Sequence, residues 1–212
     1  MGDVRGLALA TADAIHALLR DPGLAPAWDG ASALPRFLVR GLAGHLGAQV
    51  FNIERVLAEP PGAGEVLAVE THYARAAWIG ADLDDPVNVS VRDEGERLAA
   101  GGQAALAADV GAAVQRLRAA LPAEPDDRVV LIPWSGRRLR LDDFLVTRLL
   151  EMVVHADDLA ASAPVAAPEL PGAATDLVLG LLTRLAARRH GHAAVLRALA
   201  RPERAAGPIT AI

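Results

Sequence analysis

The chain has 212 residues and a net charge of −5, enough for one sizeable domain with a full core, or one domain with a short appendage, and too short for two equal domains. Hydrophobic residues make up 52% of it but aromatic ones only 3%, so the core must be Leu, Val and Ala, which suits close-packed helices better than a sheet and predicts a mainly α fold. The absence of cysteine excludes disulfides, thiolate metal sites and a cysteine nucleophile. There is no basic patch with interleaved aromatics, so no nucleic-acid surface is expected.

Met1 to Arg20 carries Asp3 and Asp13 and no unbroken apolar run, and no stretch of about 18 apolar residues occurs anywhere. A cytoplasmic protein without a membrane segment is the expectation. Val4 to Arg20 reads as an amphipathic helix stopped by Asp21-Pro22-Gly23, with His16 at its rim. Gly23 to Ala33 reads as a loop in which Trp28 covers the core. Pro35 is a plausible first position for a second helix running to Leu57, with His45 at the edge of its apolar face. Such a histidine is either a core residue bonded to a neighbour or a ligand.

Glu65 to Leu83 suggests a third helix, or a broken one, with His72 on its surface or rim. Asp82 to Gly102 is the least regular region, with Val87 to Val91 as a short strand. Gln103 to Leu121 is helical, since Leu106, Val110, Val114 and Leu117 recur at helical spacing. Two short strands, Arg128 to Ile132 and Arg137 to Leu141, flank Pro133-Trp-Ser-Gly136, with Arg137, Arg138 and Arg140 on a solvated hairpin edge. After Pro164 to Gly172 come a long helix, Thr175 to Arg189, and a short one, Ala193 to Leu199, separated by His190-Gly-His192. That pair reads as a helix-ending turn before it reads as a metal site.

The densest chemistry lies in Asp142 to Ser162, a predicted helix of about five turns with Asp142 and Asp143 as cap and first-turn residues. Apolar side chains cover most of its circumference, but Arg148, Glu151, His155 and Asp158 fall at steps of three, four and three and so share one face. One reading is a solvent-facing strip in which Arg148 and Glu151 make a surface ion pair worth under about 1 kcal/mol. The other is that Glu151 and His155, at i and i+4, reach one metal ion, which then requires a third ligand from elsewhere.

Set beside Gly41-Leu-Ala-Gly-His45-Leu46, the run Arg148-Leu-Leu-Glu151-Met-Val-Val-His155-Ala-Asp-Asp158 resembles the DinB-like metalloenzyme superfamily, in the branch typified by mycothiol-dependent maleylpyruvate isomerase. The Pro133-Trp134 turn leading into Phe144, Thr147 and Arg148 is similar to that branch as well. The resemblance implies an up-and-down four-helix bundle over residues 1–163, with a short β-hairpin, and a small helical C-terminal extension over 164–212 packed on it. It implies a divalent metal, zinc with nickel as the alternative, held by His45, Glu151 and His155. Two imidazoles, one carboxylate and open positions make a catalytic arrangement. Arg148 and Asp158, a turn away, would orient a ligand or meet a substrate carboxylate.

The implied cosubstrate is a mycothiol-type thiol, and the partner a small electrophile, in S-transfer or thiol-assisted isomerisation. The small C-terminal part, where the isomerase carries a distinct domain, suggests the alternative of a non-catalytic metal-binding or regulatory module. A metal hydrolase is disfavoured because Glu151, as a ligand, is not free to act as general base. Monomer and homodimer are both compatible with the sequence.

Overall fold

The computed structural model describes residues 3–212; Met1 and Gly2 of the expected N-terminal unit lie outside the described residues. The fold is mainly α. Helix α1 (Val4–Leu19) begins where the Asp3 side chain accepts a hydrogen bond from the Gly6 amide at 2.8 Å, which satisfies one of the free donors of the first turn. It is followed by a 3₁₀ segment, Pro22–Ala27, after which Trp28 packs half-buried on the core. Helix α2 (Val39–Ala58) starts four residues later than Pro35 suggested. Pro35 instead opens a turn in which the Phe37 amide bonds the Leu34 carbonyl at 3.2 Å and Arg36 takes φ 70°, the backbone of a type II turn with Pro at its second position.

The next segment departs further from expectation. Val66–Leu67 form strand β1, and helix α3 covers only Val69–Ala74. Helix α4 (Pro86–Leu98) replaces the expected strand at Val87 to Val91. Asp85 caps it by accepting from the Val87 amide at 3.0 Å, and Pro86 occupies the first turn, where its missing amide has no cost. The β-branched Val87, Val89 and Val91 are overridden by this start signal and by packing against α2.

Helix α5 (Gln103–Ala120) leads to the hairpin of β2 (Val129–Ile132) and β3 (Arg137–Arg140). β3 is central, antiparallel to β2 and parallel to β1, with Leu139 opposite both Val130 and Leu67. The three hairpin arginines lie on the central strand rather than on an edge, with Arg137 and Arg138 half-buried and Arg140 exposed to solvent. Arg137 donates to the His72 carbonyl at 3.1 Å, Arg138 to that of Pro61 at 2.7 Å and Arg140 to that of Asp126 at 2.8 Å, tying neighbouring loops to the sheet.

The chain passes directly from β3 into α6 (Leu141–Ser162), then α7 (Gly172–His190) and α8 (His192–Ala200). Asp142 sits in the first turn of α6 but caps nothing; its carboxylate accepts from Arg5 of α1 at 3.0 Å. Arg5 also donates to the carbonyls of Leu121 at 3.2 Å and Pro125 at 2.8 Å, so one guanidinium joins the start of α1, the end of α5 and the start of α6. Helices α1, α2, α5 and α6 pack on one another around Ile15, Leu19, Leu42, Leu46, Ile53, Leu106, Leu117 and Phe144, all fully buried. Helix α7 lies against α1, α3 and α6.

Helix α4 approaches α2 at glycines. A Cβ on Gly44 would overlap the Gly95 carbonyl, and one on Gly95 the Gly41 carbonyl, so the two backbones touch where side chains would normally separate them. Gly44→Ala should therefore lower stability in urea by about 1–3 kcal/mol through overpacking. Gly180→Ala, mid-helix in α7, where an added Cβ would meet only the tip of Arg184 at 3.5 Å, an ordinary contact, should raise it by about 0.5–1 kcal/mol. Equal effects of the two substitutions would show that the α2–α4 contact is not tight.

Candidate metal centre

The polar stripe of α6 faces inward. Arg148 is 9% exposed, and Glu151, His155 and Asp158 turn towards α2, which supplies His45. The surface-strip reading is thereby overturned: Arg148 pairs with no carboxylate among the described residues, and donates instead to Thr147 Oγ1 at 3.1 Å and to Gln49 Oε1. The apolar rest of α6 packs against α1, α2 and α7, and this fixes the rotation that turns the stripe towards His45.

Three donor atoms converge there. Glu151 Oε2 lies 3.6 Å from His45 Nε2 and 3.3 Å from His155 Nε2, and one ligand atom from each residue falls within 4.8 Å of the others. A tetrahedral zinc with bonds of about 2.0–2.2 Å has edges of about 3.3–3.6 Å between its ligands. Both carboxylate-to-imidazole separations fall in that range and the third pair lies within 4.8 Å, so two imidazoles and a carboxylate stand where one divalent cation could meet all three. The imidazole rings of His45 and His155 meet edge to face with centroids 4.8 Å apart.

The flanking groups orient these donors. Asp158 Oδ2 holds His155 Nδ1 at 2.9 Å, leaving Nε2 of that ring for the centre, the arrangement by which carboxylates commonly orient ligating histidines. Burial depresses the His45 pKa, against a smaller upward pull from Glu151, so this imidazole is neutral and offers a lone pair. Burial also opposes charge on Glu151 and His155, but their mutual hydrogen bond and their other partners win. The Glu151 carboxyl is held well below its usual range by His155 and His45, and His155 is raised to about 9 by Asp158 and Glu151.

Two groups escaped the sequence reading. Gln49, 1% exposed, sits one turn after His45 on α2; its Nε2 donates to the His45 carbonyl at 2.8 Å and lies 3.3 Å from His45 Nε2. Its signal was present as His-x-x-x-Gln on an otherwise apolar face. His72 is not a rim residue: it is buried, and its Nδ1 has no hydrogen-bond partner among the described residues. His190 and His192 are exposed and lie outside the cluster.

Burial, with the nearby charges of Arg148 and Arg137, lowers the His72 pKa to about 4. The unfolded chain takes up this proton below about pH 6.5, and the folded chain only near pH 4, so stability falls as pH drops through that window, by up to about 3 kcal/mol. His72→Leu should flatten this part of the pH–stability curve relative to wild type in urea titrations. An unchanged acid slope would show that His72 is solvated.

The model of the mycothiol maleylpyruvate isomerase N-terminal domain matches residues 8–160, a stretch that contains His45, Gln49, His72, Arg148, Glu151, His155 and Asp158 and ends before α7. No curated protein and no solved structure matches the chain. Because the match spans most of the sequence and all of the residues gathered at the centre, this protein belongs to the mycothiol maleylpyruvate isomerase N-terminal domain family.

Proposed function

We propose that the protein is a divalent-metal-dependent enzyme that uses a low-molecular-weight thiol of the mycothiol type for S-transfer to, or thiol-assisted isomerisation of, a small electrophile. The convergence of His45 Nε2, His155 Nε2 and Glu151 Oε2 at spacings suited to zinc carries the reading. Family membership supports the thiol, and so does the cysteine-free sequence, which must take its sulfur nucleophile from solution.

His45, Glu151 and His155 would hold the cation, with zinc favoured by this ligand set and nickel the alternative. When bound, it would favour the thiolate over the thiol at neutral pH. The chain's own residues do the rest. Asp158 fixes the His155 ring through Nδ1. Gln49, its Oε1 held by Arg148, keeps its amide hydrogens towards His45. Arg148 is a buried guanidinium whose hydrogen-bonding partners are neutral groups. With a dication, the carboxylates of Glu151 and Asp158 and this guanidinium, the centre carries one net positive charge, which favours one more anion, such as a thiolate or a substrate carboxylate.

Elemental analysis of the purified protein should find about one equivalent of zinc or nickel, absent from His45→Ala and His155→Ala. Asp158→Asn should weaken metal affinity by about 10- to 100-fold while leaving the fold intact. No metal in wild-type protein incubated with zinc would overturn the reading. Metal without turnover of electrophiles by mycothiol would identify a non-catalytic metal-binding module instead.

The proton on His155, whose pKa is near 9 in the metal-free chain, must leave when Nε2 takes a cation. Binding should release about one proton at pH 7.5, and affinity should rise about tenfold per pH unit up to about pH 9. Calorimetry in buffers of different ionisation enthalpy measures this directly. A pH-independent affinity would place the proton elsewhere.

A further inference from the structure

A cleft of about 480 Å³ opens between α3 and α7, and none of the metal ligands lines it; Tyr73, Ala74, Ala76, Ile79 and Leu185 form its wall, with Arg188 and Arg189 also lining it. Its volume lies within the range of small-molecule sites. The remaining side is Ala211, from the C-terminal segment. That segment is tied back to the end of α7 by His190, whose Nε2 donates to the Thr210 carbonyl at 2.8 Å. His190 thus anchors this wall and is not among the clustered metal-ligand candidates.

Charge and hydrogen bonding give the cleft its chemistry. Among the described residues, neither Arg188 nor Arg189 makes an ion pair or a side-chain hydrogen bond; the carboxylate of Glu70, on the adjoining face of α3, is taken by Arg184 at 2.9 Å. Both guanidinium groups are exposed on α7. Tyr73 is 3% exposed and its hydroxyl has no partner among the described residues, which leaves an unsatisfied polar group behind the apolar wall.

We infer that this cleft binds a small organic carboxylate with an apolar body, the body against Tyr73, Ile79 and Leu185 and the carboxylate against Arg188 and Arg189. An apolar pocket with a few convergent polar groups is the ordinary form of such sites, and guanidinium groups suit a planar carboxylate. Arg188, Arg189, Leu185 and Ala211 lie beyond the family match at residues 8–160, whereas Tyr73, Ala74, Ala76 and Ile79 lie within it, so the cleft is built jointly by the matched domain and the segment that follows it. It does not depend on the metal.

The test is a titration of the ¹⁵N-labelled full chain with 4-phenylbutyrate and, as its uncharged counterpart, 4-phenylbutanamide, followed by amide chemical shifts. The acid should perturb Tyr73, Ala76 and Leu185 and bind at least about tenfold more tightly than the amide. The double variant Arg188→Gln/Arg189→Gln, which changes only exposed side chains, should lower the acid's affinity to that of the amide. Ala76→Phe should weaken both ligands by filling the space. Equal affinity for acid and amide, wild-type affinity in the double variant, or no shifts around Tyr73 up to the solubility limit would overturn the assignment. So would affinity that appears only when zinc is added, because the carboxylate would then be reading the metal centre.

Discussion

The Glu151 carboxylate, held between the imidazoles of His45 and His155 at 3.6 and 3.3 Å, is the contact around which the rest is arranged. A buried carboxylate is tolerated only with close positive or hydrogen-bonding partners, so α2 and α6 must meet at a fixed rotation and height. Departures of about an ångström would strand the charge. The apolar faces of α2 and α6 and the fully buried Phe144, Leu42 and Leu46 secure that meeting, and Arg5 fixes the start of α6 against α1 and the end of α5.

A second layer surrounds the three donors and decides what each can do. Asp158 commits one nitrogen of His155, while Gln49 spans His45 and Arg148. This chain of contacts crosses from α6 to α2 and back, so the ligand orientations are set jointly by both helices. Buried Arg148 adds a positive charge that pairs with no carboxylate among the described residues, which biases the centre towards anions. The glycine contact of α4 on α2 lies within a turn of His45: with no side chains between the backbones at Gly41, Gly44 and Gly95, α4 holds this part of α2 in place beside the centre.

The extension that follows α6 is more than a trailing segment. Helix α7 covers α1, α3 and α6, and with α3 and the C-terminal residues it encloses a cleft with its own charge. The family match ends before this part. The metal-ligand cluster and the arginines of the cleft therefore occupy different elements, and α3, which carries both His72 and Tyr73, adjoins α6 and α7 alike.

Much of the fold could be read from local signals. Strong periodicity and clear stops gave α1, α5, α6, α7 and the β2–β3 hairpin to within a few residues, because helical spacing of Leu and Val and the Pro and Gly stops act locally. Elements whose form depends on a distant partner were misread. β1 exists only because Val66 and Leu67 pair with Arg138 and Leu139 of β3, and α4 forms across β-branched valines because it packs on α2.

The site divides along the same line. The sequence by itself determined that Arg148, Glu151, His155 and Asp158 share one helix face, since 3.6 residues per turn permits no other outcome, and that any thiol must come from outside a chain without cysteine. Only the tertiary structure decided that this face points inward, that His45 meets it, and that Gln49, His72 and Tyr73 are buried nearby. Periodicity fixes neighbours along one helix, whereas the rotation of one helix against another is set by the packing of the whole core.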